Sequence, residues 1–434
     1  MVDITAATAT AGREDLDAYR DRLRAWLADN MPKLDPGVDW DPLHDDDDRA
    51  SRARELQRRL FDGGFAGICY PREYSGQGLP IEYQRVFDQE SMGYELPALF
   101  SVPTLSICGP TVLEFGTEAQ KQRYIPAFIR GDELWVQFMS EPSGGSDMAG
   151  ALTRATRDGD VFLLNGSKIW STYAYRSDFA LCLARTNWDV PKHRGLTMFI
   201  VPINHPGITV KQIMMVDGTE EFCQEFFDDA AIPAENVLGQ VDDGWTVATR
   251  LLFHERAAVG GASPYTSGRS AGRAETIGDD LVGLAKARGK ADDPLVRRLI
   301  GQVEALSIVQ GQLAQRVRTG LETGHFPGPA GSLVRLYAGT ATVERTNIAL
   351  EIAGDEAVVW DGDADGRFGI AYIKRQSTSL GGGSTEMARN IISERILGMP
   401  REYAADRDVA FREVRRNTMP SPGPTTEGST EESG

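Results

Sequence analysis

The chain has 434 residues, of which 41% are hydrophobic and 25% are charged, a balance typical of an ordinary globular protein. Its 46 basic and 63 acidic residues give a formal net charge of −17, which argues against nucleic acid and anionic lipid as partners. The length predicts about two or three domains and is sufficient to enclose a large cofactor.

The ends of the chain and its cysteines indicate the cellular compartment. Residues 1–13 contain no basic region followed by an apolar run, and no apolar stretch approaches the length of a membrane span. We therefore expect a cytoplasmic protein without membrane insertion. The cysteines are far apart and lack metal-ligand spacing, so we expect reduced thiols and no metal at Cys69, Cys108, Cys182 and Cys223.

The periodicity of apolar residues changes twice along the chain. Apolar residues recur at three- and four-residue steps over Leu16–Asn30, which predicts an amphipathic helix ended by Pro32. Over residues 135–239, short β-favouring runs alternate with Gly, Asn and Pro turns and predict a β module. Helical periodicity then returns over residues 244–397.

This order predicts an α+β protein with helices at both ends and strands in the middle. The last stretch is rich in Ser, Thr, Pro, Gly and Glu, so we expect it to be largely disordered. The predicted units are an N-terminal helical domain at 1–134, a central β domain at 135–239, a C-terminal helical domain at 240–400, and a tail at 401–434.

Two polar segments of the β module have the composition of a ligand site. Residues 137–147 read QFMSEPSGGSD, in which small residues let backbone N–H groups approach an anionic or aromatic ligand. Residues 165–172 read NGSKIWST, where an Asn-Gly hairpin turn precedes Trp170. An aromatic residue beside hydroxyls suits a flat heterocycle. A plain turn and a tryptophan that fills the core explain the same residues.

Together these segments resemble the acyl-CoA dehydrogenase family, whose middle domain has a TEPGAGSD-like loop followed by a KxWxT strand. Further matches follow in order: 70–78 is similar to a Pro-plus-GGxG segment, 227–239 to FDDVxVPxxNxLG, and 384–392 to GTSEIQRNII. The resemblance implies an N-terminal helical domain, a central β-barrel-like domain and a C-terminal four-helix bundle. It also implies FAD, with cofactor contacts from Gln137, Met139, Ser140, Ser146, Trp170, Thr172 and Ser384.

The catalytic base departs from the commonest family pattern. Many members place a glutamate where this chain has Gly382, and a glycine cannot accept a proton. Long-chain and branched-chain members place the glutamate on the first long helix of the C-terminal domain, where Glu255 matches. Helical spacing puts Glu255 on one face with Trp245, Ala248, Leu252 and Val259, which predicts a raised pKa for its carboxyl group. A salt bridge to a distant arginine, or a shallower helix, is the alternative.

The resemblance implies a complete reaction. Glu255 would remove the α proton of an acyl-CoA while a hydride passes from the β carbon to flavin N5, giving the trans-2-enoyl-CoA. The backbone N–H of Gly382 and a ribityl hydroxyl of FAD would stabilise the thioester oxygen, and electron-transfer flavoprotein would accept the electrons. The alternatives are a non-catalytic structural subunit, an acyl-ACP dehydrogenase and a flavin oxidase on the same fold. The acyl group, fatty or sterol-derived, is not specified.

The segments that would complete a neighbouring subunit's FAD site look altered. Tetrameric relatives use Arg-x-x-Phe-Gly and Gln-x-x-Gly-Gly-x-Gly, whereas this chain keeps Arg288 but has Ala291 and Asp292, and reads EIAGDEA over 351–357. Acidic residues such as Asp355 and Glu356 beside a pyrophosphate would be repulsive. We therefore expect a heterotetramer with a related chain, with a divergent homotetramer as the alternative.

Overall fold

The N-terminal region of the computed structural model is helical. The structure describes residues 14–34, 48–259, 263–265, 280–359 and 367–414. Helix α1 is the predicted one: Asp15 caps its N-terminus, and Tyr19, Leu23 and Leu27 are buried on one face. The helices of this region are α1 Leu16–Asn30, α2 Asp48–Asp62, α3 Ile81–Glu90, α4 Gly109–Phe115 and α5 Glu118–Arg130.

A π-helix, Phe100–Cys108, runs directly into α4 and contains Pro103. Short π-helical stretches are rare and often occur at functional sites. This one is attached to the first strand, because the Thr104 hydroxyl accepts a hydrogen bond from Trp135 N at 2.9 Å and donates to Trp135 O at 3.1 Å. The wall that the π-helix forms is therefore fixed relative to the sheet.

The central region forms one eight-stranded sheet in the order β6-β7-β3-β2-β4-β5-β8, with β1 pairing in parallel with β4. Strand β4 is covered on both faces: Leu181 and Leu183 belong to the core shared with the N-terminal helices, whereas Cys182 and Ala184 face a second core inside the sheet. The strands are β1 Trp135–Phe138, β2 Arg154–Asp158, β3 Val161–Thr172, β4 Phe179–Arg185, β5 Leu196–Pro202, β6 Ile208–Gln212, β7 Phe222–Pro233 and β8 Val237–Leu238.

The C-terminal region is helical again, which confirms the predicted α+β fold. Its helices are α6 Gly244–Val259, α7 Leu281–Ala287, α8 Pro294–Glu322, α9 Gly331–Ala353, α10 Arg367–Lys374 and α11 Thr385–Arg395. Helix α9 packs against α8, α10 and α11, whereas α6 packs against the π-helix, α4 and β5. Helix α6 therefore connects the three regions. Within the described ranges, no helix is both long and apolar enough to cross a bilayer.

The segment after α11 does not follow the expectation of a disordered tail from Arg401. Phe411 is only 2% exposed, and the guanidinium carbon of Arg185 lies 3.4 Å from its ring centroid. Phe411 N donates to Val190 O at 2.9 Å, and Arg412 N donates to Trp188 O at 2.9 Å. The expectation is thus not met at Phe411 and Arg412, because one aromatic residue anchors a segment of polar composition. Residues 415–434 lie outside the described residues.

The same segment reaches the polar loop of the β module. Lys192 Nζ lies 3.0 Å from Asp147 Oδ1 and 2.8 Å from Asp406 Oδ2, so one ammonium group joins the loop to the C-terminal segment. The buried Arg185 beneath Phe411 also donates to the carbonyl oxygens of Ala149 and Ala151. The C-terminal segment therefore supports the end of this loop.

We expect deletion of residues 401–434 to lower the free energy of unfolding by about 3 kcal/mol, the scale of losing one buried phenylalanine. It should also raise amide hydrogen exchange over residues 147–151. Deletion of residues 415–434 alone is the matched control and should leave both quantities unchanged. Equal unfolding midpoints for the two deletions would contradict the docking of Phe411.

Candidate active site

A cavity of about 560 Å³ opens where the π-helix, β1 and the end of β3 approach α6. Its volume lies in the range usual for small-molecule sites. The wall from the N-terminal region is mostly apolar, and Leu99, Val102, Pro103 and Ile107 belong to it. The wall from the sheet is more polar and includes Gln137, Ser140, Trp170, Ser171, Thr172 and Tyr173.

Glu255 lines this cavity from α6, one turn after the buried Leu251. Gln137 Nε2 donates a hydrogen bond to Glu255 Oε2 at 2.9 Å. Burial raises the pKa of the Glu255 carboxyl group, against the smaller opposing effects of that hydrogen bond and of the charges of Arg256 and Arg335. The raised pKa agrees with the apolar helical face, although the Val259 side chain lies outside the described residues.

The glycine that replaces the usual family base lies beside Glu255. A Cβ atom placed on Gly382 would be 3.5 Å from Glu255 Oε1, and the φ angle of Gly382 is +71°. Arg335 Nη2 donates to Gly381 O at 2.6 Å, which holds this turn against α9. Two positions distant in the sequence therefore converge on one corner of the cavity. Local sequence patterns gave no indication of Arg335.

Trp170 has a strained backbone and does not fill the core. Its φ angle is +70°, at an irregularity in the pairing of β3 with β7 between Ile169 and Ser171. Its side chain is 52% exposed and lines the cavity. A left-handed conformation is costly for a bulky residue and tends to persist at functional sites. The bulge thus presents an aromatic face to the cavity.

The groups around Trp170 fit a flavin ring system. Gln137 Oε1 is buried without a hydrogen-bond partner among the described residues, so it is available to a ligand donor. The hydroxyl groups of Ser140 and Thr172 are in the same wall and can bond ring heteroatoms. No described atom lies within 4 Å of a Cβ built on Gly144, which leaves the loop backbone accessible.

A buried ion pair fixes the two polar segments to each other. Lys168 Nζ lies 2.8 Å from Glu141 Oε1 and donates to Met139 O at 3.1 Å. Glu141 also accepts from the backbone N–H groups of Leu152 and Thr153 at 2.6 and 2.9 Å. Burial opposes ionisation of Glu141, but these partners outweigh it and its pKa is lowered. Both residues lie within the two polar sequence motifs, but nothing in the local sequence indicates that they pair.

A second buried carboxyl group lies behind the polar wall. Glu225 on β7 is opposite Lys168 on β3 and is fully buried. Ser171 Oγ donates to Glu225 Oε2 at 3.1 Å, while Oε1 has no hydrogen-bond partner among the described residues. Burial raises the pKa of Glu225 to about 8. Glu225 belongs to none of the ligand-site motifs of the sequence, since only the strand alternation of β7 points it inward.

Comparisons with known proteins agree over residues 13–397. Models of the acyl-CoA dehydrogenase N-terminal, middle and C-terminal domains match residues 13–132, 137–230 and 242–397. Acyl-CoA dehydrogenase IpdE1 of Mycobacterium tuberculosis H37Rv is 31% identical over 407 residues, covering 90% of this chain and 99% of the relative. The chain belongs to the acyl-CoA dehydrogenase family. It is therefore an oxidoreductase that acts on acyl-CoA, and members of this family are flavoproteins.

Solved structures of other acyl-CoA dehydrogenases share the fold. The Tcur3481-Tcur3483 steroid ACAD is 28% identical with a TM-score of 0.70, over 90% of this chain and 99% of that one. The ChsE4-ChsE5 complex from Mycobacterium tuberculosis is 24% identical with a TM-score of 0.66, over 91% of this chain and 100% of that one. Both structures are named after two proteins.

Three of the residues expected from the acyl-CoA dehydrogenase resemblance do not line the cavity. Ser146 is exposed in the polar loop, and Ser384 caps α11 by accepting from Met387 N at 3.2 Å. Arg288 ends α7, and the nearby Asp292 is exposed. The cavity instead gathers Gln137, Met139, Ser140, Trp170, Thr172 and Glu255.

The raised pKa of Glu225 predicts a pH-dependent contribution to stability. The protonated form is favoured in the folded protein, so this contribution is fully present below the ordinary pKa of 4.5 and is lost as pH rises through about 8. Relative to Glu225→Gln, the free energy of unfolding should therefore fall by a few kcal/mol between about pH 5 and pH 8. Denaturant unfolding at several pH values measures this difference.

Glu220→Gln is the matched control for that experiment, because Glu220 is exposed on the segment that leads into β7. It should follow the pH dependence of the unchanged protein. If Glu225→Gln also follows it, Glu225 does not keep its proton in the folded state.

Proposed function

We propose that this chain catalyses the FAD-dependent α,β-dehydrogenation of an acyl-CoA thioester to the trans-2-enoyl-CoA, with Glu255 as the α-proton base. The observation that carries this proposal is a carboxyl group of raised pKa in a cavity whose polar wall fits a flavin. A base for an α proton needs a pKa closer to neutrality than that of a solvated glutamate. Burial of Glu255 supplies this shift.

The residues around Glu255 have different roles in proton transfer. Gln137 orients the carboxylate through an uncharged hydrogen bond, so the carboxylate keeps its ability to accept a proton. Loss of the α proton places negative charge on the thioester oxygen. The backbone N–H of Gly382 is the donor we assign to that oxygen, and Arg335 holds the adjacent Gly381 in place.

FAD would be held by Trp170, the hydroxyl groups of Ser140 and Thr172, and Gln137, and when bound it supplies the acceptor for the β hydrogen. The Lys168–Glu141 pair contributes indirectly, since it fixes Met139 and Ser140 relative to Trp170. Electron-transfer flavoprotein is the electron acceptor that we propose. Because one structural relative is named a steroid ACAD, both fatty and steroid-derived thioesters belong among the test substrates.

The assembly that we propose is a heterotetramer in which a second, related chain completes the flavin site. Arg288 is kept, but the exposed Asp292 and Asp355 stand where the family presents neutral residues to a neighbour's pyrophosphate. Carboxylates near a desolvated phosphate are strongly unfavourable, whereas in water they cost little. A structural relative of 28% identity that is named after two proteins supports this arrangement.

Glu255→Gln should retain bound flavin and lose flavin reduction by acyl-CoA at least ~100-fold, because the amide cannot accept the α proton. In the unchanged protein the reduction rate should rise with pH through the raised pKa of Glu255, and this rise should be absent from Glu255→Gln. Stopped-flow absorbance of the flavin measures both effects.

The control for this variant is Glu73→Gln, an exposed site outside the cavity. It should reduce flavin at the rate of the unchanged protein. Undiminished reduction in Glu255→Gln would show that another residue is the base.

Co-expression with a related chain should give a tetramer with one FAD for each pair of chains, and the isolated chain should carry little flavin. The physical reason is the repulsion expected at the altered half-site. Light scattering gives the mass of the assembly, and the absorbance ratio gives its flavin content. A homotetramer purified alone with one FAD in every subunit would refute the heteromeric assembly and leave the catalytic proposal standing.

A further inference from the structure

The cavity has a second polar region, formed by Arg52 and Glu95 on its N-terminal wall. Both residues line the cavity that Glu255 lines from α6. Arg52 Nε lies 3.2 Å from Glu95 Oε1 and Nη2 lies 2.9 Å from Glu95 Oε2, so the pair is bidentate. Apolar side chains, among them Leu56, Leu99 and Val102, line the same wall.

This ion pair is held in place from both sides. Arg52 lies within α2, and its Nη1 donates to Glu55 Oε2 at 3.1 Å. Glu95 N donates to Pro32 O at 2.8 Å, which attaches the segment after α3 to the end of α1. A rigid bidentate pair is a preorganised recognition group, unlike a single flexible surface charge.

The Arg52 guanidinium group retains donors for a ligand. Of its five N–H bonds, the contacts to Glu95 and Glu55 use three, so two have no acceptor among the described residues. The side chains of Arg52 and Glu95 are 37% and 18% exposed. A saturated hydrocarbon placed against this pair would remove water from it and return no hydrogen bond, which is unfavourable.

We propose that Arg52 and Glu95 select acyl-CoA thioesters that carry a carbonyl or carboxylate oxygen at the end of the acyl group remote from the thioester. The thioester lies at Glu255, the hydrocarbon follows the apolar wall, and the remote oxygen accepts from the two remaining N–H groups of Arg52. This inference rests on the proposed dehydrogenation. A site built to bond a polar group discriminates against analogues that lack it, because its own polar groups are then left unpaired.

Matched pairs of thioesters test this selectivity. The pairs are octanoyl-, decanoyl- and dodecanoyl-CoA, each beside its analogue with an oxo group on the next-to-last carbon. We expect the unchanged enzyme, in its flavin-loaded assembly, to have a kcat/KM at least ~10-fold higher for the oxo analogue at one or more lengths. This is the scale of one hydrogen bond to a charged donor.

Arg52→Met should lower kcat/KM for the oxo analogues to the value for the plain thioesters, so that the preference is abolished. Arg58→Met is the matched control, since Arg58 lies on the same helix, pairs with Asp132 and does not line the cavity. It should retain the preference. Arg52→Met leaves the Glu95 carboxylate without its partner, which destabilises the folded protein. The double variant Arg52→Met with Glu95→Leu replaces both charged side chains by hydrocarbon, so it tests the preference without that destabilisation.

The outcomes separate this inference from the proposed function. Equal kcat/KM for plain and oxo thioesters at every length would overturn the selectivity and leave the dehydrogenase intact. A preference that persists in the double variant would show that other residues recognise the oxygen and would also overturn it. If the flavin-loaded enzyme is reduced by none of the thioesters while Glu255→Gln behaves identically, the proposed reaction itself fails.

Discussion

The buried contact between Lys168 and Glu141 is the interaction on which the candidate site depends. It joins the polar loop after β1 to the middle of β3, where both side chains are buried away from bulk solvent. Such a pair has a large desolvation cost, which is offset only when further hydrogen bonds satisfy both partners. Met139 O, Leu152 N and Thr153 N provide them. The bulge that exposes Trp170 lies two residues beyond this fixed point.

The fold class and the order of regions could be predicted from the sequence because they depend on local periodicity. Helix α1 shows this: Tyr19, Leu23 and Leu27 recur at helical spacing and are buried on one face. Glu255 was identified through its match to a position that long-chain and branched-chain family members use, and its apolar helical neighbours support that identification. Trp170 was found through a motif, but its left-handed backbone and exposure follow from the pairing of β3 with β7.

Other features depend on contacts between distant segments and leave no periodic signal. Phe411 is one aromatic residue in a polar tail, and its burial depends on Arg185 and Trp188 more than two hundred positions earlier. Arg52 and Glu95 are separated by 43 positions and resemble ordinary surface charges until α2 and the segment after α3 meet. Arg335 reaches the turn at Gly381 from α9. Sequence patterns report which face is buried, not which partner covers it.

Three glutamates near the cavity show how environment divides one residue type into different roles. Glu141 pairs with the ammonium group of Lys168 and accepts hydrogen bonds from backbone N–H groups, so it stays ionised and acts as a structural anchor. Glu225 lies opposite Lys168 in the pairing of β3 with β7, but Lys168 forms its ion pair with Glu141. Burial therefore favours the protonated form of the Glu225 carboxyl group. Glu255 has only an amide donor and more distant arginines. Its charge is destabilised by burial but not neutralised by an ion pair with any described residue, which is the state that proton abstraction requires.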